Sequence, residues 1–206
     1  MRIETVILQP LSVNCYLIVS DDKEALIVDP GGEPERVAAK IEELGVKPVG
    51  IINTHGHFDH IGGVTELKNR YGIPFSIHKD DDFLLTQSVD HAAKFGFPRI
   101  DPPKAERLLS DGDKIEFGGE EIEVIHTPGH TPGGVSLYIP AIKTAITGDT
   151  LFREAVGRSD FPYAEHETLI KSVKERLLVL PDETKVLPGH DIPSTIGHEK
   201  KWNPFT

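Results

Sequence analysis

The chain has 206 residues, with 33 acidic against 22 basic side chains, a formal net charge of −11 and a single cysteine. That balance argues against a nucleic-acid partner, whose affinity rests mainly on Lys and Arg neutralising phosphates, and against an anionic membrane surface. Cys15 alone excludes an internal disulfide. With no basic-then-apolar leader and no apolar run of bilayer length, the reading is a cytoplasmic protein. No composition break or Ser/Gly-rich linker divides the chain, so residues 1–206 are expected to form one domain with one core.

Ile3 to Leu8, Val13 to Val19 and Ala25 to Val28 are apolar, strand-like runs at short spacing and predict an antiparallel meander. Asp29-Pro30-Gly31-Gly32 ends the third strand. Glu33-Pro34-Glu35 opens a helix with Pro in its first turn and acids at its positive end, and Val37, Ile41 and Leu44 give it an apolar face before Gly45. Val49 to Ile52 is a short buried strand, and a helix is expected to begin near Ile61 and run through Leu67. Pro74 to His78 is another strand, with Asp80 to Leu85 helical or turn-like. Gln87 to Leu109 shows no sustained period and contains Pro102-Pro103, so it is read as a mobile loop region over a site. Ile115 to Phe117 and Glu121 to Ile125, joined by Gly118-Gly119, form a hairpin. Strands at Val135 to Ile139 and Lys143 to Thr147 follow. A long amphipathic helix is expected from Glu165 to Leu180, then a short strand at Lys185 to Leu187.

The chemistry gathers at the ends of strands. His55-Gly56-His57-Phe58-Asp59-His60 follows the Val49 to Ile52 strand. His55 and His57, two apart in an extended segment, direct their imidazoles the same way and can share one metal. Gly56 is read as letting the backbone turn close to that ion. Asp59 and His60, beyond the turn and near a helix N-terminus, are better placed for a second ion. His130, fixed between Gly and Pro, reads as a rigid ligand, and His126 ranks below it as a polar residue closing a strand. Asp149 ends another strand with a carboxylate able to bridge two cations, and His190 repeats the pattern after Pro188-Gly189. His91, His166 and His198 read as solvated, His78 as a strand-end residue with a place behind the ligands as the lesser alternative, and Cys15 as packed core. No serine has a G-x-S-x-G context.

Together these motifs resemble the metallo-β-lactamase superfamily over nearly the whole chain. The resemblance implies a four-layer αβ/βα sandwich with a metal site at one edge of its paired sheets. It implies that His55, His57 and His130 hold one divalent ion, that Asp59, His60 and His190 hold a second, and that Asp149 bridges, with Asp59 also able to orient the attacking water. The nitrogen and oxygen donors suit zinc first, with iron or manganese compatible.

Within the superfamily, Asn14 to Ile18, Asp149 to Phe152, Gly157 to Pro162 and the tail from Ser194 to Phe205 are most similar to the glyoxalase II (hydroxyacylglutathione hydrolase) group. In that group a basic residue after the bridging Asp helps hold glutathione. Arg158 takes that place, although a structural pair with Asp160 explains it equally well. The group's longer members continue past Asn-Pro-Phe, whereas this sequence stops at Thr206, so thioester hydrolysis is the firmer expectation and glutathione as carrier the weaker. Lys200 and Lys201 are the substitutes at hand. A water between two cations becomes a nucleophile near neutral pH, which implies hydrolysis of a small-molecule acyl thioester such as S-lactoylglutathione. The rival expectation is a mononuclear iron sulfur (persulfide) dioxygenase on the same fold, using His55, His130 and Asp149. The oligomeric state is not legible.

Overall fold

The computed structural model describes residues 1–94, 96–97 and 100–206. The chain forms two compact units, residues 1–108 and 109–206, each built on its own mixed sheet.

The first unit opens with the expected meander, β1 (Arg2–Leu8), β2 (Val13–Val19) and β3 (Glu24–Val28), paired antiparallel. Every residue of β2 is buried, so Cys15, fully enclosed, is core as its apolar neighbours require. Helix α1 (Pro34–Leu44) buries Val37, Ala38 and Ile41. It returns the chain to β4 (Lys47–Ile52), which runs parallel to β3. Pro48 sits beside a register shift in that ladder, where the missing N–H costs least. Two short helices, α2 (Phe58–Ile61) and α3 (Val64–Tyr71), stand where one was expected. The break falls at Gly62-Gly63, because the Gly63 N–H is drawn off to the Pro30 carbonyl at 2.8 Å. A Cβ at Gly62 would lie 2.3 Å from the Gly31 carbonyl oxygen. The Asp29 loop and the histidine loop thus pack backbone against backbone. Strand β5 (Phe75–His78) continues the sheet in parallel.

The loop expected from Gln87 is corrected in its first part. Helix α4 (Asp82–Lys94) continues through it, burying Leu84, Leu85, Ser88 and Ala92. The spacing is helical, but one of these positions is a serine, which hides the periodicity from a hydrophobic pattern. Ser88 is there because its hydroxyl donates to the Gly56 carbonyl at 2.6 Å. Of the remainder, Phe95, Pro98 and Arg99 lie outside the described residues, and β6 (Arg107–Leu109) carries the chain to the second unit.

The second unit has the hairpin β7 (Lys114–Phe117) and β8 (Glu120–His126), then β9 (Val135–Ile139) and β10 (Thr144–Gly148), all antiparallel. A small hairpin, β11 (Leu151–Phe152) with β12 (Ala155–Val156), follows Asp149 and was not foreseen. The expected long helix is α5 (His166–Ser172), continued by a wider π turn over Val173–Leu177. Leu169, Val173 and Leu177 are fully buried, as the helical spacing requires. β13 (Lys185–Pro188) then lies parallel to β10, and β14 (Ser194–Thr195) pairs with β13 before α6 (Ile196–Trp202). Both sheets follow one plan, an antiparallel meander extended by a parallel strand after a helical crossover. Among the described residues no helix is long and apolar enough to cross a membrane.

Candidate metal centre

In the first unit, β4 ends at Ile52 and delivers His55 and His57 into a loop, and α2 presents Asp59 and His60. His55, His57 and His60 are 2%, 7% and 0% exposed, too enclosed for solvated histidines. Three contacts fix their rings. His60 Nδ1 donates to Asp29 Oδ2 at 3.1 Å. The Thr54 hydroxyl donates to the same oxygen at 2.6 Å, so its own oxygen accepts from His55 Nδ1 at 3.1 Å. Holding Nδ1 as the protonated nitrogen makes Nε2 of each ring the nitrogen able to ligate a metal, and a carboxylate behind a histidine raises its basicity. His55 Nε2 faces His57 Nδ1 at 3.1 Å, a separation that suits two nitrogens on one cation. Asp59 Oδ2 lies 4.0 Å from His60 Nε2.

Asp29 was missed as a site residue. It is fully buried, and its other oxygen accepts the Thr54 N–H at 2.7 Å. Its signal was an acid followed by Pro-Gly-Gly at a strand end, and it takes a left-handed backbone, φ 51°, unusual for a non-glycine. Gly56 has a packing reason beside the one expected. A Cβ there would meet the Leu84 side chain at 2.8 Å and the Asp81 carbonyl at 3.1 Å, so the glycine admits α4, and its N–H donates to the Asp81 carboxylate at 2.9 Å.

In the second unit His130, Asp149 and His190 come together at the ends of β10 and β13 and in the loop after β8. His130 Nε2 and His190 Nε2 approach one oxygen, Asp149 Oδ2, at 3.6 and 3.7 Å. Both distances exceed a hydrogen bond. They match the roughly 3.4 Å between ligand atoms held about 2.1 Å from a tetrahedral cation, and the donor chemistry fits a divalent metal. His130 Nδ1 donates to the Arg158 carbonyl at 2.7 Å, again directing Nε2 to ligation. Gly157 makes that arrangement possible: a Cβ would stand 1.8 Å from the Asp149 carbonyl oxygen and 3.3 Å from His130 Nδ1.

The Arg158 side chain itself is largely exposed and tied to Asp160 by two hydrogen bonds of 2.9 and 2.8 Å, with its guanidinium over the Phe161 ring. Those bonds hold the Asp160 carboxyl below its ordinary range and the guanidinium above its own. Lys200 is engaged with Asp182, and Lys201 lies over Trp202. His126 Nε2 is hydrogen-bonded to the Pro132 carbonyl at 2.9 Å. His198, expected to be solvated, is instead half-buried and bonded to Glu154 at 2.8 Å. His166 is exposed and meets Ser159 Oγ at 3.0 Å.

A cavity of about 700 Å³ lies within the first unit against Asp59. The β1–β2 loop and Phe58 give it apolar walls, and Glu33, Glu66 and Asp101 line it as acids.

The metallo-β-lactamase superfamily model matches residues 8–190. The hydroxyacylglutathione hydrolase GloC of Haemophilus influenzae is 40% identical over 207 residues, covering 100% of this chain and 98% of that protein. Among solved structures, the BLEG-1 B3 metallo-β-lactamase superposes with a TM-score of 0.94 at 34% identity, covering 99% of each chain. TTHA1623, solved in a di-iron-bound form, superposes with a TM-score of 0.91 at 38% identity, covering 98% of this chain and all of the other. The chain belongs to the metallo-β-lactamase superfamily and has its α/β fold of two mixed sheets with helices. That makes it an enzyme of metallo-hydrolase type, and its His/Asp clusters are those of a divalent-metal protein.

Proposed function

We propose that the protein is a metal-dependent hydrolase of small acyl thioesters, of the hydroxyacylglutathione hydrolase kind, acting as one metallo-β-lactamase-like domain. In this reading the two clusters serve one dinuclear centre. His55, His57 and His130 would hold one ion, Asp59, His60 and His190 the other, and Asp149 would serve both. The observation that carries it is the fixing of Nδ1 on His55, His60 and His130 by Thr54, Asp29 and the Arg158 carbonyl, which directs three Nε2 atoms to ligation. The likeness to the Haemophilus influenzae hydrolase supports the substrate class.

Two divalent cations bound there, zinc foremost, would supply a hydroxide at neutral pH and polarise a carbonyl oxygen. The protein's own residues set the geometry. Asp59, at the edge of the cavity, accepts a hydrogen bond from the attacking water and orients it. Asp29 keeps the His60 ring from turning. The cavity has room for a small acyl group, and its acidic lining suits an uncharged one better than a carboxylate. The exposed pair between Arg158 and Asp160 supports the structural role for that guanidinium over recognition of the thiol carrier.

A second reading, a mononuclear iron sulfur dioxygenase using His55, His130 and Asp149, draws from TTHA1623 only that iron is taken up on this fold, since that structure holds two ions. Anaerobic cleavage of S-lactoylglutathione by the zinc-loaded enzyme is the outcome expected here. Oxygen uptake with glutathione persulfide by the iron-loaded enzyme, without anaerobic thioester cleavage, would reverse the choice.

A further inference from the structure

Glu199 is a fully buried carboxylate in α6, nine residues beyond His190, the nearest proposed ligand in sequence. A buried charge costs several kcal/mol unless its oxygens are satisfied. Here three donors satisfy it: the Glu154 N–H at 2.8 Å, Asn203 Nδ2 at 2.9 Å and the Ser194 hydroxyl. Each donor lies on a different segment. Glu154 is in the turn of the β11–β12 hairpin, Ser194 is in β14, and Asn203 ends α6.

Those segments lead to the metal cluster of the second unit. Asn203 Nδ2 also donates to the Ala155 carbonyl at 3.0 Å, and His198 holds the Glu154 side chain at 2.8 Å. The turn is therefore gripped at three points on two consecutive residues, although Glu154 stands in a left-handed conformation, φ 58°, that a non-glycine resists. Two residues beyond Ala155 the chain reaches Gly157, whose backbone abuts the Asp149 carbonyl, and then Arg158, whose carbonyl holds His130. On the other side Ser194 pairs with Val186 of β13, the strand that runs into Pro188-Gly189-His190. One carboxylate thus joins the two backbone paths that end at His130 with Asp149 and at His190.

We infer that Glu199 and Asn203 form a clamp in the C-terminal helix that positions His130 and Asp149 for metal through the β11–β12 hairpin. They touch no ligand. They act by fixing where the Arg158 carbonyl and the Gly157 backbone stand. The inference rests on the reading of His130, Asp149 and His190 as metal ligands.

The test is competitive chelator titration of Zn²⁺ and the absorption spectrum of the Co²⁺-loaded full chain, for wild type, Asn203→Ala and His198→Ala, with thermal melts of metal-free and Zn²⁺-loaded protein. Groups one shell behind ligands typically affect affinity by ten- to hundredfold. Asn203→Ala is expected to weaken Zn²⁺ about tenfold, to alter the Co²⁺ ligand-field bands and to shrink the rise in Tm on loading. His198→Ala, which spares the buried carboxylate and secures folding, is expected to weaken Zn²⁺ two- to threefold. Wild-type affinity and spectrum in both variants, with equally lowered melts of the metal-free and loaded forms, would reduce the clamp to a structural tie. A wild-type chain that takes up no Zn²⁺ or Co²⁺ would remove the ligand reading, and the clamp with it.

Discussion

His60 and Asp29 face each other at 3.1 Å with both side chains fully enclosed, 31 residues apart in sequence. Asp29 receives the Thr54 hydroxyl as well, and through it governs His55. One carboxylate therefore fixes the rings of two proposed ligands.

Asp29→Ala should strand the donors of Thr54 and His60 and lower stability by about 1–3 kcal/mol for each buried donor left unpaired. Zinc affinity should fall ten- to hundredfold. Urea denaturation of the metal-free protein and chelator titration of the loaded one separate the two effects. Unchanged affinity in the folded variant would deny Asp29 its role behind the ligands.

Gly157→Ala places a methyl group within 1.8 Å of the Asp149 carbonyl oxygen, so the hairpin must move. A forced backbone shift of this kind costs about 1–3 kcal/mol. Metal content should drop with stability, read by elemental analysis and urea denaturation. A variant of wild-type stability and metal content would contradict the close approach.

Much of this was legible beforehand because the residues concerned are local in sequence. The histidine loop, the strand-end Asp149 and His190 and the meander of β1 to β3 all announce themselves through short spacings. What escaped is long-range. Asp29 is separated from Thr54 by 25 residues, and the Pro-Gly-Gly that follows it marks a strand end without indicating which residues it serves. Helix α4 was hidden because Ser88, a polar residue, holds a core position to serve the Gly56 carbonyl. The β11–β12 hairpin has two-residue strands, too short for any periodicity, and is held by a helix some 45 residues later.

Arg158→Ala should change KM for S-lactoylglutathione by less than about threefold, since the guanidinium is already engaged by both oxygens of Asp160. The pair also has a pH signature. Arg158 lowers the Asp160 pKa by hydrogen bonding, so the stabilisation is fully present above the unfolded carboxylate value, about 3.9, and is lost as pH falls through the lower folded value. An NMR titration of the Asp160 carboxyl should show that lowered midpoint return to the ordinary range in Arg158→Ala. A tenfold rise in KM would restore the guanidinium to substrate binding.

Cys15 is fully enclosed, and burial, followed by the charge of Asp29, pushes its thiol well above the ordinary range. Thiolate is the reactive species, so the native protein should resist a disulfide reagent at pH 8 and react at the free-thiol rate only in denaturant. Rapid labelling of the folded chain would contradict the packing of β2.

The central claim is that seven side chains hold two metal ions with Asp149 between them. Elemental analysis of zinc-reconstituted wild type and Asp149→Ala tests it most directly. The account predicts about two ions per chain in the wild type and fewer than one in the variant. Two ions retained without Asp149, or none in the wild type, would contradict it.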